Sequence, residues 1–89
     1  MPTKEPTGGL DAVVAANLRA LRAGRRLRQV DVAKLASMNR ASLASIESER
    51  RRVSLDDAAR LCAALEVTLD ELLRGADPAD LAALGLDAE

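Results

Sequence analysis

An all-α fold, five helices followed by a short C-terminal helical tail, is predicted by three observations. Alanine and leucine dominate a chain that is 48% hydrophobic and has no aromatic residue, a composition that favours helix. Apolar residues recur at three- and four-residue spacing, and no segment alternates as a strand would. Start and stop signals separate these periodic stretches into short pieces. With 89 residues there is room for one small domain, because a chain this short buries only about 60 to 65% of its unfolded surface.

Residues 1–9, with Pro2, Pro6, Gly8 and Gly9, have little to bury and read as a disordered arm in which Lys4 can at most touch a phosphate. Leu10, Val14, Leu18 and Leu21 then set a first helix over about 10–23, with Val13 beside the stripe and Gly24 at the position expected to end it. A second, over about 29–36, carries Val32, Ala33 and Ala36 on one face. After Ser37 and Met38, Asn39 is a good N-cap for a third helix, 40 to about 48, with Leu43 and Ile46 inward. Residues 50–53 form a basic loop. Ser54 and Asp57 make a capping box for a fourth helix over 55–65, whose predicted inward residues are Leu55, Ala58, Leu61, Cys62 and Leu65. Cys62 reads as an ordinary core residue. Thr68 and Glu71 repeat the start signal for a brief fifth helix closed by Gly75, and Asp77-Pro78 opens a weak one to about Leu84. The predicted domain spans 10–75 and the tail 76–89.

Histidine is absent and cysteine occurs once, which removes the usual zinc sites, imidazole acid-base chemistry and any intramolecular disulfide. The expectation is a protein that is not an enzyme and needs no cofactor or metal. No apolar run exceeds six residues (81–86), and MPTKEPTGG lacks a signal-peptide core, so the expected address is the cytoplasm, without membrane contact. Arginine outnumbers lysine 11 to 2 and isoleucine occurs once, a bias pointing to a GC-rich bacterial genome.

The net charge of −1 conceals a division after Ser54. Residues 1–54 carry eleven basic side chains against five acidic ones, a net +6; residues 55–89 carry two against nine, a net −7. One part of such a domain can bind a polyanion while the other limits nonspecific adhesion. On charge alone, a salt-bridged surface without a partner fits equally well.

The informative stretch is QVDVAKLASMNRASLASIES, 29–48: two short helices joined by a turn of three residues. Helices joined so tightly cross steeply and need a small residue at their closest approach, here Ala33. With Leu21-Arg22 before it, Ser54-Leu55 after it and then Leu69-Asp70-Glu71-Leu72-Leu73, the stretch resembles the lambda-repressor-like (XRE or Cro type) helix-turn-helix family over roughly 17–73. Three positions depart from the family pattern: Ser37 and Glu49 stand where glycine is common, and Arg28 where a serine cap is common. Ser37 is therefore expected to adopt a left-handed conformation at modest cost.

The resemblance implies that the third helix lies in the major groove and the second rests on the DNA backbone. Arg40, Ala41, Ser42, Ala44 and Ser45 would face base edges, with Arg40 able to bond guanine O6 and N7 together and the two alanine methyls set against thymine methyls. Arg28, Gln29, Asn39, Arg50, Arg51 and Arg52 would meet the backbone. Arg22 and Glu47 occupy positions that commonly form an ion pair between the first and third helices. The implied function is a sequence-specific transcriptional regulator, a repressor, bound to double-stranded DNA as a homodimer on a palindromic operator. The alternative is an antitoxin or adaptor of the same fold whose main role is to hold a protein partner, a toxin or a polymerase. Leu72, Leu73, Leu81, Leu84 and Leu86 form an apolar group that either packs on its own domain or, as this reading expects, makes the dimer.

Overall fold

The computed structural model describes residues 9–86, so the last three residues and, apart from Gly9, the predicted arm lie outside the described part. Six helices and no strand are found there: α1 Leu10–Gly24, α2 Gln29–Leu35, α3 Arg40–Glu47, α4 Leu55–Leu65, α5 Leu69–Leu72 and α6 Pro78–Ala83. The predicted capping is realised at four starts. The side-chain oxygens of Asn39, Ser54, Thr68 and Asp77 accept backbone N–H bonds at the openings of α3, α4, α5 and α6. Carboxylates of Asp57 and Glu71 reach back to the N–H of Ser54 and Thr68 at 2.9 and 2.8 Å.

The core is aliphatic. Leu18, Val32, Leu43, Ile46, Leu61, Leu65 and Leu72 are fully buried, and each contributes about 1.5 to 3 kcal/mol of burial free energy. Ala33 and Ala36 are buried between α2 and its neighbours, where a larger side chain would force the helices apart. Around this centre α2 packs on α3 and α4, α1 packs on α3 and α5, and α5 packs on α4.

Five of the six helix ends follow one device. Leu27, Met38, Arg50, Val67 and Leu86 donate N–H bonds to the carbonyls of Arg22, Ala33, Ser45, Cys62 and Leu81, five residues back, at 2.8 to 3.0 Å. Such a closure needs the residue just before the donor in the left-handed region, and Arg26, Ser37, Glu49, Glu66 and Gly85 are there, with φ of 57°, 57°, 65°, 56° and 79°. The expectation for Ser37 is met. Gly24, however, is the last residue of α1, and its predicted role falls two positions later to Arg26. The donors Leu27, Met38, Val67 and Leu86 also pack against the core, which fixes the direction in which each chain leaves its helix.

Two assignments on apolar faces need correction. Leu55 is 85% exposed, because the buried face of α4 centres on Asp57, Leu61 and Leu65, and Leu55 lies about 120° round the helix from Leu61 at 3.6 residues per turn. Leu72 and Leu73 are buried in the domain's own core, and Leu81 and Leu86 pack partly buried against it. Four of the five leucines assigned to dimerisation are therefore engaged within the domain, since α6 folds back onto it. Only Leu84, 47% exposed, remains open.

Candidate nucleic-acid interface

The α2-turn-α3 unit is held at its base by a buried carboxylate. Glu47, the last residue of α3, receives Arg22 Nε on Oε2 at 2.8 Å and Arg22 Nη2 on Oε1 at 3.0 Å, a two-pronged pair from α1. Gln29 Nε2, from the start of α2, donates to the same Oε1 at 3.0 Å. Arg19 bonds the Glu47 carbonyl, and Arg22 Nη1 reaches the Leu27 carbonyl at 3.1 Å. One acidic side chain thus joins α1, α2 and α3. The hydrogen bond to Glu47 raises the pKa of the Arg22 guanidinium further, so the arginine stays charged. The predicted Arg22–Glu47 pair is present. Gln29 was expected to turn its amide toward a phosphate; it turns it inward instead, because Glu47 Oε1 has a second lone pair to fill.

On the outer side of α3, Arg40 and Ala41 are exposed and Ser42, Ala44 and Ser45 half-buried, while Leu43 and Ile46 point into the core. All five predicted base-reading residues therefore keep accessible surface on one short helix. Asn39 is exposed, with Oδ1 capping the Ser42 N–H at 2.8 Å and its amide nitrogen left to donate elsewhere. Arg28 is exposed and pairs with Asp31 three residues on, at 3.2 Å. That hydrogen bond holds the Asp31 carboxyl below its ordinary pKa. A surface pair of this kind is worth little and exchanges readily for a stronger anion.

The arginine loop divides. Arg51 Nη2 bonds both oxygens of Asp57 at 3.1 and 3.2 Å, tying the loop to the buried start of α4. Burial pushes the Asp57 carboxyl up, but hydrogen bonds from Ser54 and the Arg51 charge outweigh it and leave the pKa below the ordinary 3.8. Arg50 and Arg52 are exposed and meet no carboxylate among the described residues. The backbone role read for all three thus suits Arg50 and Arg52, while Arg51 is a structural tie. Asp11 of α1 fixes the loop's far end, accepting the Val53 N–H at 2.9 Å.

Some participants are not legible from spacing. Arg26 lines the same open concavity as Arg22, Arg28 and Arg40, beside Leu27 and Gln29. Arg25, its neighbour, instead bonds the Leu65 carbonyl at the end of α4. Arg60 donates to the carbonyl of Ser37 at 2.9 Å, bracing the turn from α4. Only the density of arginine around 22–28 hinted at a surface here. Away from the basic side, Leu55, Leu69 and Leu84 border an apolar groove with Leu10, Val14 and Val53.

Comparison with known proteins agrees with this geometry. A family model described as a helix-turn-helix domain matches residues 13–75. No curated protein matches significantly. Among solved structures, the restriction-modification controller protein C.AhdI from Aeromonas hydrophila is 31% identical over 70% of this chain and 94% of its own, with a TM-score of 0.66. The clp gene regulator ClgR from Corynebacterium glutamicum is 26% identical over 74% and 86%, with a TM-score of 0.69. A hypothetical transcription factor, NHTF, from Neisseria is 27% identical over 94% and 95%, with a TM-score of 0.70. The all-α order, the packing of α2 on α3 and a family match over most of the chain converge: it belongs to the helix-turn-helix family of DNA-binding transcription regulators, in the lambda-repressor-like form that its sequence resembles.

Proposed function

We propose that this protein is a sequence-specific DNA-binding transcriptional repressor that docks α3 in the major groove of a palindromic operator and acts as a homodimer. The observation that carries the reading is the outer face of α3: an arginine at its first position, then small side chains at 41, 42, 44 and 45, with basic residues at both ends of the unit. A helix whose outer face is small can sink deep into a groove about 12 Å wide, and one guanidinium at its tip can then take both acceptors of a guanine. Arg28 and Asn39 on one side, and Arg50 and Arg52 on the other, are suited to the flanking phosphates. The names of two similar structures, a restriction-modification controller and a gene regulator, support a regulatory role.

Dimerisation follows from information content. One short helix reads too few base pairs to single out a site in a genome, whereas two related by a two-fold axis read half-sites about 34 to 36 Å apart. With Leu72, Leu73, Leu81 and Leu86 engaged in the domain, the surface that fits a second copy is the apolar groove bordered by Leu55, Leu69 and Leu84. Selection of bound duplexes from random sequence tests the whole reading. The expected product is an inverted repeat whose affinity falls by orders of magnitude between about 50 and 200 mM salt. Recovery of no preferred sequence, or binding indifferent to salt, overturns it.

A further inference from the structure

Four arginines, Arg22, Arg26, Arg28 and Arg40, line one open concavity between the α1–α2 turn and the tip of α3. Their charges are not equally compensated. Glu47 takes Arg22 and Asp31 takes Arg28, whereas neither Arg26 nor Arg40 meets a carboxylate among the described residues. Two uncompensated guanidiniums therefore face the same space, and like charges held together favour an anion between them. The concavity is shallow and open to solvent, so it fits a passing strand better than an enclosed small molecule. The Arg26 side chain bonds nothing else in the described protein, while its neighbour Arg25 is committed to the Leu65 carbonyl.

We propose that Arg26 anchors one phosphodiester of the bound DNA strand in this concavity, next to the base that Arg40 is read to contact. The inference rests on the DNA-binding reading above and adds to it a contact from the turn before α2. Phosphate is the recognised chemistry, and a DNA strand rather than a free phosphate ion is its source. Arg26 is a backbone contact: it supplies affinity to every duplex and none of the sequence preference.

The left-handed backbone at Arg26 provides a clean test, because glycine suits φ of 57° better than arginine does. Arg26→Gly is expected to raise the thermal midpoint by about 2 to 6 °C, which excludes misfolding as the cause of any loss in binding. It should lower affinity for a duplex obtained by selection and for an unrelated duplex of equal length by the same factor, about three- to tenfold. The slope of log affinity against log salt should shrink by about 0.9. Arg26→Lys, which keeps the charge, should retain the slope. Unchanged affinity and slope in Arg26→Gly overturn the phosphate anchor, and so does a loss confined to the selected duplex, which would make Arg26 a base reader. If inorganic phosphate at millimolar concentration stabilises the wild type but not Arg26→Gly while both bind DNA alike, the site takes a free ion and the strand assignment fails. Wild-type protein that binds neither duplex overturns the DNA reading itself, an outcome distinct from the others.

Discussion

Replacing Arg22 by methionine isolates the junction that orients α3. The Glu47 side chain is 5% exposed and that of Arg22 24%, so the substitution leaves a carboxylate in a nearly dry site with Gln29 as its remaining side-chain donor. Breaking one side of a fully buried pair costs about 3 to 5 kcal/mol; the partial exposure of Arg22 admits some water and reduces the expected cost to about 2 to 4 kcal/mol. Against a total stability of about 5 to 10 kcal/mol for a domain of this size, that is a large fraction. With an m-value of about 1 kcal/mol per molar urea, the unfolding midpoint should fall by about 2 M or more. The charge, not the lost packing, is the claimed cause. Arg22→Met with Glu47→Leu should therefore recover part of the loss, because the double variant buries no unpaired charge. A fall in midpoint below about 0.5 M, or a double variant less stable than Arg22→Met, would refute the reasoning and show Glu47 to be adequately solvated.

Ser37→Gly should raise stability by about 0.5 to 1 kcal/mol in urea unfolding, since φ of 57° strains a side chain but not glycine; an unchanged midpoint would mean that the bond from Arg60 to the Ser37 carbonyl governs the turn. Arg51→Ala should lower the urea midpoint by removing the Asp57 tie, while Arg52→Ala should leave stability unchanged and weaken all duplexes alike; DNA titration beside unfolding separates the two. The Asp57 carboxyl is depressed below 3.8, so its contribution is fully present above that pH and is lost as the pH falls through the lower folded value. The stability gap between wild type and Asp57→Asn should accordingly narrow in acid unfolding below pH 3.8 and stay constant near neutrality.

The helices were legible because their signals are local. Asn39, Ser54, Thr68 and Asp77 each cap the helix that follows within three residues, and the aliphatic periodicity of 10–21 and 58–65 needs only one face to be counted. The errors arise where an outcome depends on something distant in sequence. Leu55 lies at the edge of its helix's apolar stripe, and which edge is covered depends on neighbouring elements. Leu72 and Leu73 fill the core because α5 packs on α1, fifty and more residues earlier. In the site, the Arg22–Glu47 pair came from a family pattern, but the inward turn of Gln29 and the division of the arginine loop depend on carboxylates that spacing does not locate. Gly24 misled for a subtler reason: glycine is favoured at a left-handed cap but not required, and the hydrogen bond from Leu27 to Arg22 chose Arg26.

Four helix ends close through a left-handed residue that is not glycine, at Arg26, Ser37, Glu49 and Glu66. Glycine at each would recover about 0.5 to 1 kcal/mol, so together they withhold about 2 to 4 kcal/mol, a factor of roughly 30 to 900 in the unfolded population. In a cell that population is what proteases remove, and abundance follows it. For a regulator the consequence is temporal. A protein held nearer its stability threshold is cleared sooner once synthesis stops, so operator occupancy tracks the rate of synthesis more closely, and the response time becomes adjustable one helix end at a time.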